Sequence, residues 1–111
     1  MTSTALWDAV VATMLPLGPV DERRSRYGDK PALVVGSREI AHLEAPGIVD
    51  LRITQAGWSQ VRERFGTDPA VRRAKNRKDW LELVLESPAD VDRLTPLLAV
   101  AVAANVGPRP R

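Results

Sequence analysis

Cysteine is absent from the chain, histidine occurs once, and tyrosine and phenylalanine occur once each. No disulfide, thiolate nucleophile or sulfur-based zinc site can therefore be built. A cysteine-free chain is compatible with the reducing cytoplasm, where this protein is expected to reside. Long apolar runs are missing too. The longest, Leu97 to Ala104, falls far short of the roughly 20 residues that cross a bilayer. No basic stretch followed by an apolar run opens the chain, so neither a membrane partner nor a secretory leader is expected. Charge of one sign is also lacking: 16 Lys and Arg against 14 Asp and Glu leave +2, which does not demand a polyanionic partner. The glycines are scattered, and no phosphate-cradling loop, GxSxG elbow, CxxC or HxxxH spacing occurs.

What is present suits one globular domain. At 111 residues with 44% hydrophobic and 27% charged side chains, the chain can bury one core without staples. Residues 1–107 are read as that domain and 108–111, part of GPRPR, as a flexible tail. Leu6, Val10 and Met14, flanked by Trp7 and Val11, recur at helical spacing behind a Ser3 or Thr4 cap, and Pro16, Gly18 and Pro19 end the helix. The charged stretch from Asp21 to Lys30 reads as a loop or ragged strand. Ala32 to Val35, a Gly36-Ser37 turn and Arg38 to Leu43 form a hairpin, and Pro46-Gly47 turns the chain again. In the strand from Ile48 to Ile53, Val49, Leu51 and Ile53 alternate with Asp50 and Arg52.

Thr54 looks like the cap of a helix of about ten residues, with Trp58, Val61 and Phe65 as its stripe and Gly66 as its stop. Val71 suggests a short strand before a basic turn, Lys75 to Lys78. Trp80 to Glu86 is a strand with Leu81, Leu83 and Leu85 inward. Ser87, Pro88 and Asp90 form a capping box for a helix reaching about Asn105, which Pro96 should kink or split. The fold expected is α+β: an antiparallel sheet of four to five strands packed on two or three helices, a two-layer sandwich with one sheet face partly open.

Candidate chemistry gathers on that open face. Ile40, His42 and Glu44 should share one side of their strand, with Asp50 and Arg52 beside them and Trp80 and Glu82 on the last strand. A histidine oriented by a carboxylate can serve as a general base. In an enzyme, His42 would be that base, Asp50 would orient it, Arg52 would stabilise developing negative charge, and Trp80 would stack on an aromatic substrate. Alternatively, these groups are simply a solvated sheet face, with cross-strand pairs such as His42 with Asp50 and Arg52 with Glu82. Arg23, Arg24, Arg26 and Tyr27 form either a lid over that face or a plain charged loop.

One histidine with carboxylates could hold a divalent ion weakly, but without a ligand-spacing motif no metal or cofactor is expected. Trp7 and Trp58 read as core. Seven of the 16 basic residues fall within 17 positions, Arg62, Arg64, Arg72, Arg73, Lys75, Arg77 and Lys78, and offer an alternative nucleic-acid interface centred on Arg72 to Lys78. Glu63, Asp68 and Asp79 interrupt that run, and nucleic acid is not favoured.

The stretch GSREIAHLEAPGIVDLRIT and, after a spacer, KDWLELVLESPADVDRLTPLLAVAVAAN resemble the luciferase-domain family, which includes the fungal luciferase domains. The likeness covers Gly36 to Asn105 and implies a small YjbR-like α+β fold. The sequence departs from the family pattern where Glu44 stands at a position often held by a second histidine, and where Ala70 to Lys78 lacks the histidine of fungal members. The resemblance implies cofactor-independent oxygenase chemistry on an aromatic or pyrone substrate as one reading. The leading expectation is a small ligand-binding or accessory domain, monomer or homodimer, that uses the open sheet face for a small aromatic ligand.

Overall fold

A computed structural model describes residues 3–26 and 28–106. Helix α1 (Ser3–Met14) leads through a 3-10 turn (Leu15–Leu17) into β1 (Val20–Arg24), β2 (Pro31–Val35), β3 (Arg38–Ala45) and β4 (Ile48–Arg52). Helix α2 (Thr54–Phe65), β5 (Val71–Arg73), β6 (Trp80–Val84), α3 (Pro88–Arg93) and α4 (Thr95–Val106) complete the order. Six strands form one antiparallel sheet in the order β1-β2-β3-β4-β6-β5. The fold is α+β, as expected, with more strands and helices than the patterning implied.

The extra strand is β1, whose sequence VDERR is exposed beyond Val20. An edge strand that buries almost nothing carries no alternation to read, and its charges blunt the edge. The extra helix comes from Pro96, which cannot donate within a helix and splits the expected long helix at Leu94. The capping box at Ser87 and Asp90 forms as expected. Thr54 also caps α2, its hydroxyl accepting the Gly57 N–H at 3.0 Å. The expected caps Ser3 and Thr4, Tyr27 of the lid and the tail after 106 lie outside the described side chains and residues.

The core lies between the sheet and the helices. Leu6, Trp7, Val10 and Met14 of α1, Val61 and Phe65 of α2, and Leu97, Leu98, Ala101 and Val102 of α4 meet Leu33, Val49, Leu51, Leu81 and Leu83 of the sheet. Trp7 is core as expected. Trp58 is only half-buried, because Gly57 turns inward in its place, and it carries the Arg73 guanidinium 5.3 Å from its ring centre. No described helix is long and apolar enough to cross a membrane.

Two turns and two register shifts aim the open face, the second shift lying at Glu44, between Leu43 and Ala45 of β3 where it pairs with β4. Gly36 and Gly47 close the β2–β3 and β3–β4 hairpins with positive φ, 63° and 76°, which glycine adopts without penalty. Between Leu33 and Val34 of β2 the register with β3 shifts, so that Leu33 opposes Ala41 while Val34 opposes Glu39. Ile40 is the extra residue, and Ile40 and Ala41 both join the core. The expected sharing of one face by Ile40, His42 and Glu44 is thus corrected. The bulge turns Ile40 inward and brings Glu39 to the side of His42, three positions away.

Candidate functional site

A cross-strand row runs over the open face: Arg23, Ala32, His42, Asp50, Glu82 and Arg72, each in register with the next. Ala32 offers His42 only a methyl group as neighbour, so the imidazole can lie down into the sheet. His42 is 5% exposed and Asp50 4%, unusual for such groups unless they are paired.

Three carboxylates surround the ring. Nε2 lies 3.0 Å from Asp50 Oδ2 and 3.1 Å from Glu44 Oε2, and Nδ1 lies 2.8 Å from Glu39 Oε2. The Glu39 contact is short but out of line with the ring N–H, so Nδ1 is buried with no hydrogen-bond partner among the described residues. Glu39 is fixed in turn by the Ser25 hydroxyl at 3.1 Å and the Arg26 N–H at 3.3 Å. Arg77 donates to Asp50 Oδ2 at 3.0 Å while its guanidinium covers the Trp80 ring at 4.4 Å. The Trp80 ring centre is 5.6 Å from that of His42.

The electrostatics follow from this crowding. The hydrogen bond with Asp50 raises the pKa of His42; burial opposes the rise, while the charges of Asp50 and Glu39 and the contact with Glu44 reinforce it. Burial pushes Asp50 upward, but hydrogen bonds from His42 and Arg77 outweigh it and hold the carboxyl below its ordinary range. Each group thus favours the charged form of the other.

Ser25, Gly28, Lys30, His42, Glu44, Arg77 and Trp80 line a concavity of about 470 Å3. A second hollow of about 370 Å3 lies on another side of Trp80, bordered by Arg26, Ser37, Arg38, Glu39 and Arg52. The face is therefore two shallow bays that share one indole, with arginines and a lysine at their rims.

The expected site residues divide. His42, Glu44, Asp50 and Trp80 come together. Arg52 does not join them: its guanidinium donates to Asn105 Oδ1 at 2.6 Å and meets Asp79 Oδ2 at 3.4 Å, so it ties the sheet to the end of α4. Arg52 opposes Trp80 in register, and Glu82 opposes Asp50, so the expected Arg52–Glu82 pair does not form. Glu82 sits beyond Asp50 with Arg72 3.9 Å away. Sequence patterning does not mark Glu39, Lys30 or Ser25 as site residues. A bulge without a marker residue hides Glu39, and the other two reach the bay only through the β1–β2 connection.

The basic segment does not form one strip. Arg72 opposes Glu82 on the open face, whereas Arg73 opposes Leu81 and stacks on Trp58 of the helical layer. Arg77 is engaged with Asp50 and Trp80, while Lys75 and Lys78 are exposed. Comparison with protein-family models, curated proteins and solved structures yields no match.

Proposed function

We propose that the protein is a ligand-binding domain whose site is the concave open face of the sheet, and that it takes a small, flat, acidic aromatic compound. Trp80 carries this reading: one half-buried indole lines both bays beside a buried histidine. A volume of about 470 Å3 is within the usual range for small-molecule sites. Lys30 and Arg77 rim the first bay, and Arg26 and Arg38 border the second, so an anionic group meets cations in either direction. Arg77 would have to slide off the indole to admit a ring, which its exposed turn permits.

The same geometry speaks against His42 as a general base. The hydrogen bond with Asp50 and the surrounding carboxylates raise the His42 pKa and so favour the protonated ring, whereas a base must be free of its proton. The nucleic-acid reading has weaker support, because Arg72, Arg73 and Arg77 serve different faces and already have partners.

Amide NMR titration with a panel of aromatic carboxylates, phenols and pyrones tests the proposal. Shifts at His42, Glu44, Arg77 and Trp80 that vanish in Trp80→Ala are expected. No shift in that bay with any compound, or shifts confined to Arg72 to Lys78 on adding short DNA, would overturn it.

A further inference from the structure

His42 Nε2 faces two carboxylate oxygens at once, Asp50 Oδ2 at 3.0 Å and Glu44 Oε2 at 3.1 Å. With the Nδ1 proton assigned to the Glu39 side, Nε2 offers a lone pair to two anionic acceptors. That arrangement is repulsive unless a positive centre sits among them. A proton supplies one such centre, and a divalent cation would supply a larger positive charge with the same three atoms as ligands.

The distances fit a particular geometry. Ligands at about 2.1 Å from a first-row divalent ion are about 3.0 Å apart along an octahedral edge and about 3.4 Å apart along a tetrahedral one. The two nitrogen–oxygen distances are compatible with the octahedral edge and are equally those of hydrogen bonds. The three ligand atoms all lie within 4.8 Å of one another, so small movements of Glu44, whose side chain is 47% exposed, close the set. Glu39 Oε2 lies 2.8 Å from Nδ1, out of line with its N–H, and a small tilt of the ring would place it where a carboxylate commonly orients a ligating histidine. The imidazole selects against calcium and magnesium, and the missing thiolates select against the softest ions.

We propose that His42 Nε2, Glu44 Oε2 and Asp50 Oδ2 form a facial binding site for a first-row divalent transition cation, with Glu39 as the positioning carboxylate. The remaining coordination positions face the bay lined by Lys30 and Trp80, open to solvent or to an anionic oxygen. Arg77 competes with the cation, because both use Asp50 Oδ2. Cation binding therefore releases Arg77 and bares the Trp80 ring. Residue spacing along the chain carries no sign of the site, since hairpin register brings Asp50 to His42.

The single histidine makes the test direct, provided the expressed protein carries no histidine tag. Chelator-treated, 15N-labelled protein is titrated with Zn2+, and the imidazole nitrogens of His42 are followed by long-range 1H–15N correlation. One equivalent should move Nε2 to the position of a metal-bound nitrogen while Nδ1 keeps its proton. Calorimetry with Zn2+ and Co2+ should give one site, weakened at least about 10-fold in Glu44→Gln, a variant at an exposed side chain, and tightened in Arg77→Gln. Unmoved imidazole nitrogens at saturating Zn2+, or binding indifferent to Glu44→Gln, would overturn the proposal. No aromatic compound is present in this titration, so its failure leaves the ligand-binding reading standing, and the reverse holds too.

Discussion

Arg93 and His42 are each held by more than one carboxylate, yet the two clusters are constructed differently. Arg93 donates to Asp68 through Nε and one terminal nitrogen at 3.1 and 2.9 Å, and to Asp90 through the other at 2.6 Å. Asp68 also accepts the Ala70 N–H, and Asp90 the Glu86 and Ser87 N–H groups. This cluster lies at the surface, and through Arg93 at the end of α3 it fastens the approach to β5 onto that helix. Around His42 the carboxylates outnumber what one ring can satisfy, and two of them are more than nine-tenths buried. A surface clamp needs no surplus. Buried charge without a full set of donors is costly to retain, and the proposed ligand site would account for such a cost at the floor of a concavity.

The largest expected effect separates the two directly. His42→Ala leaves Asp50 and Glu39 buried without the imidazolium, and breaking a buried pair in this way costs on the order of 3 kcal/mol. Arg77 keeps its hold on Asp50 and prevents a larger loss. Arg93→Met should cost distinctly less, because water replaces the guanidinium at both carboxylates. Urea denaturation of the two variants measures the gap, and Asp50→Asn added to His42→Ala should recover part of the loss. Equal costs would erase the distinction between clamp and site.

How far the sequence anticipates these clusters differs in the same way. Ser87, Pro88 and Asp90 are local, and a capping box is written in four consecutive residues, so half of the surface clamp is legible from the chain alone. The alternation of Val49, Leu51 and Ile53 correctly sends Asp50 to the open face, and Gly36 and Pro46-Gly47 correctly bound the hairpins, which brings Asp50 opposite His42. Glu39 is not legible, because the bulge at Ile40 reverses facing without a glycine or proline to announce it. Arg52 misleads for a related reason. Its backbone faces the bay, but its long side chain reaches round to Asn105, fifty-three residues on, and periodicity says nothing about where a guanidinium ends. Pattern finds the face; tertiary contacts decide which of its charges remain available.

Opposite pH limits should follow in chelator-treated protein. His42 has a pKa raised above its ordinary 6.5, so its contribution is complete below that pH and is lost as pH climbs through the folded value. Asp68, paired with Arg93, and Asp90, bonded to the Glu86 N–H and to Arg93, are held below their ordinary 3.8. Their contribution is complete above 3.8 and is lost as pH falls through the folded values. Asp50 adds to the acid side, being lowered as well. Urea midpoints measured from about pH 3 to about pH 9 should decline at both ends. His42→Ala should flatten the alkaline decline, and Asp68→Asn should soften the acid one. An alkaline decline that persists unchanged in His42→Ala would assign it to some other group.

Salt gives the smallest effect and separates the clusters by burial alone. Exposed charges are screened beyond about 10 Å at 0.1 M and beyond about 3 Å at 1 M, and buried pairs far less. The Arg93 side chain is 45% exposed, whereas those of His42 and Asp50 are 7% and 5% exposed. The stability difference between wild type and Arg93→Met should therefore shrink between low salt and about 1 M sodium chloride, while that between wild type and His42→Ala holds nearly constant. Chloride is the suitable salt, since sulfate strengthens burial everywhere and would mask the comparison. If the His42 difference shrinks as much as the Arg93 difference, solvent and ions enter the bay freely. The cluster would then be a wet surface rather than the floor of a site, and the case for a ligand there would lose its electrostatic basis.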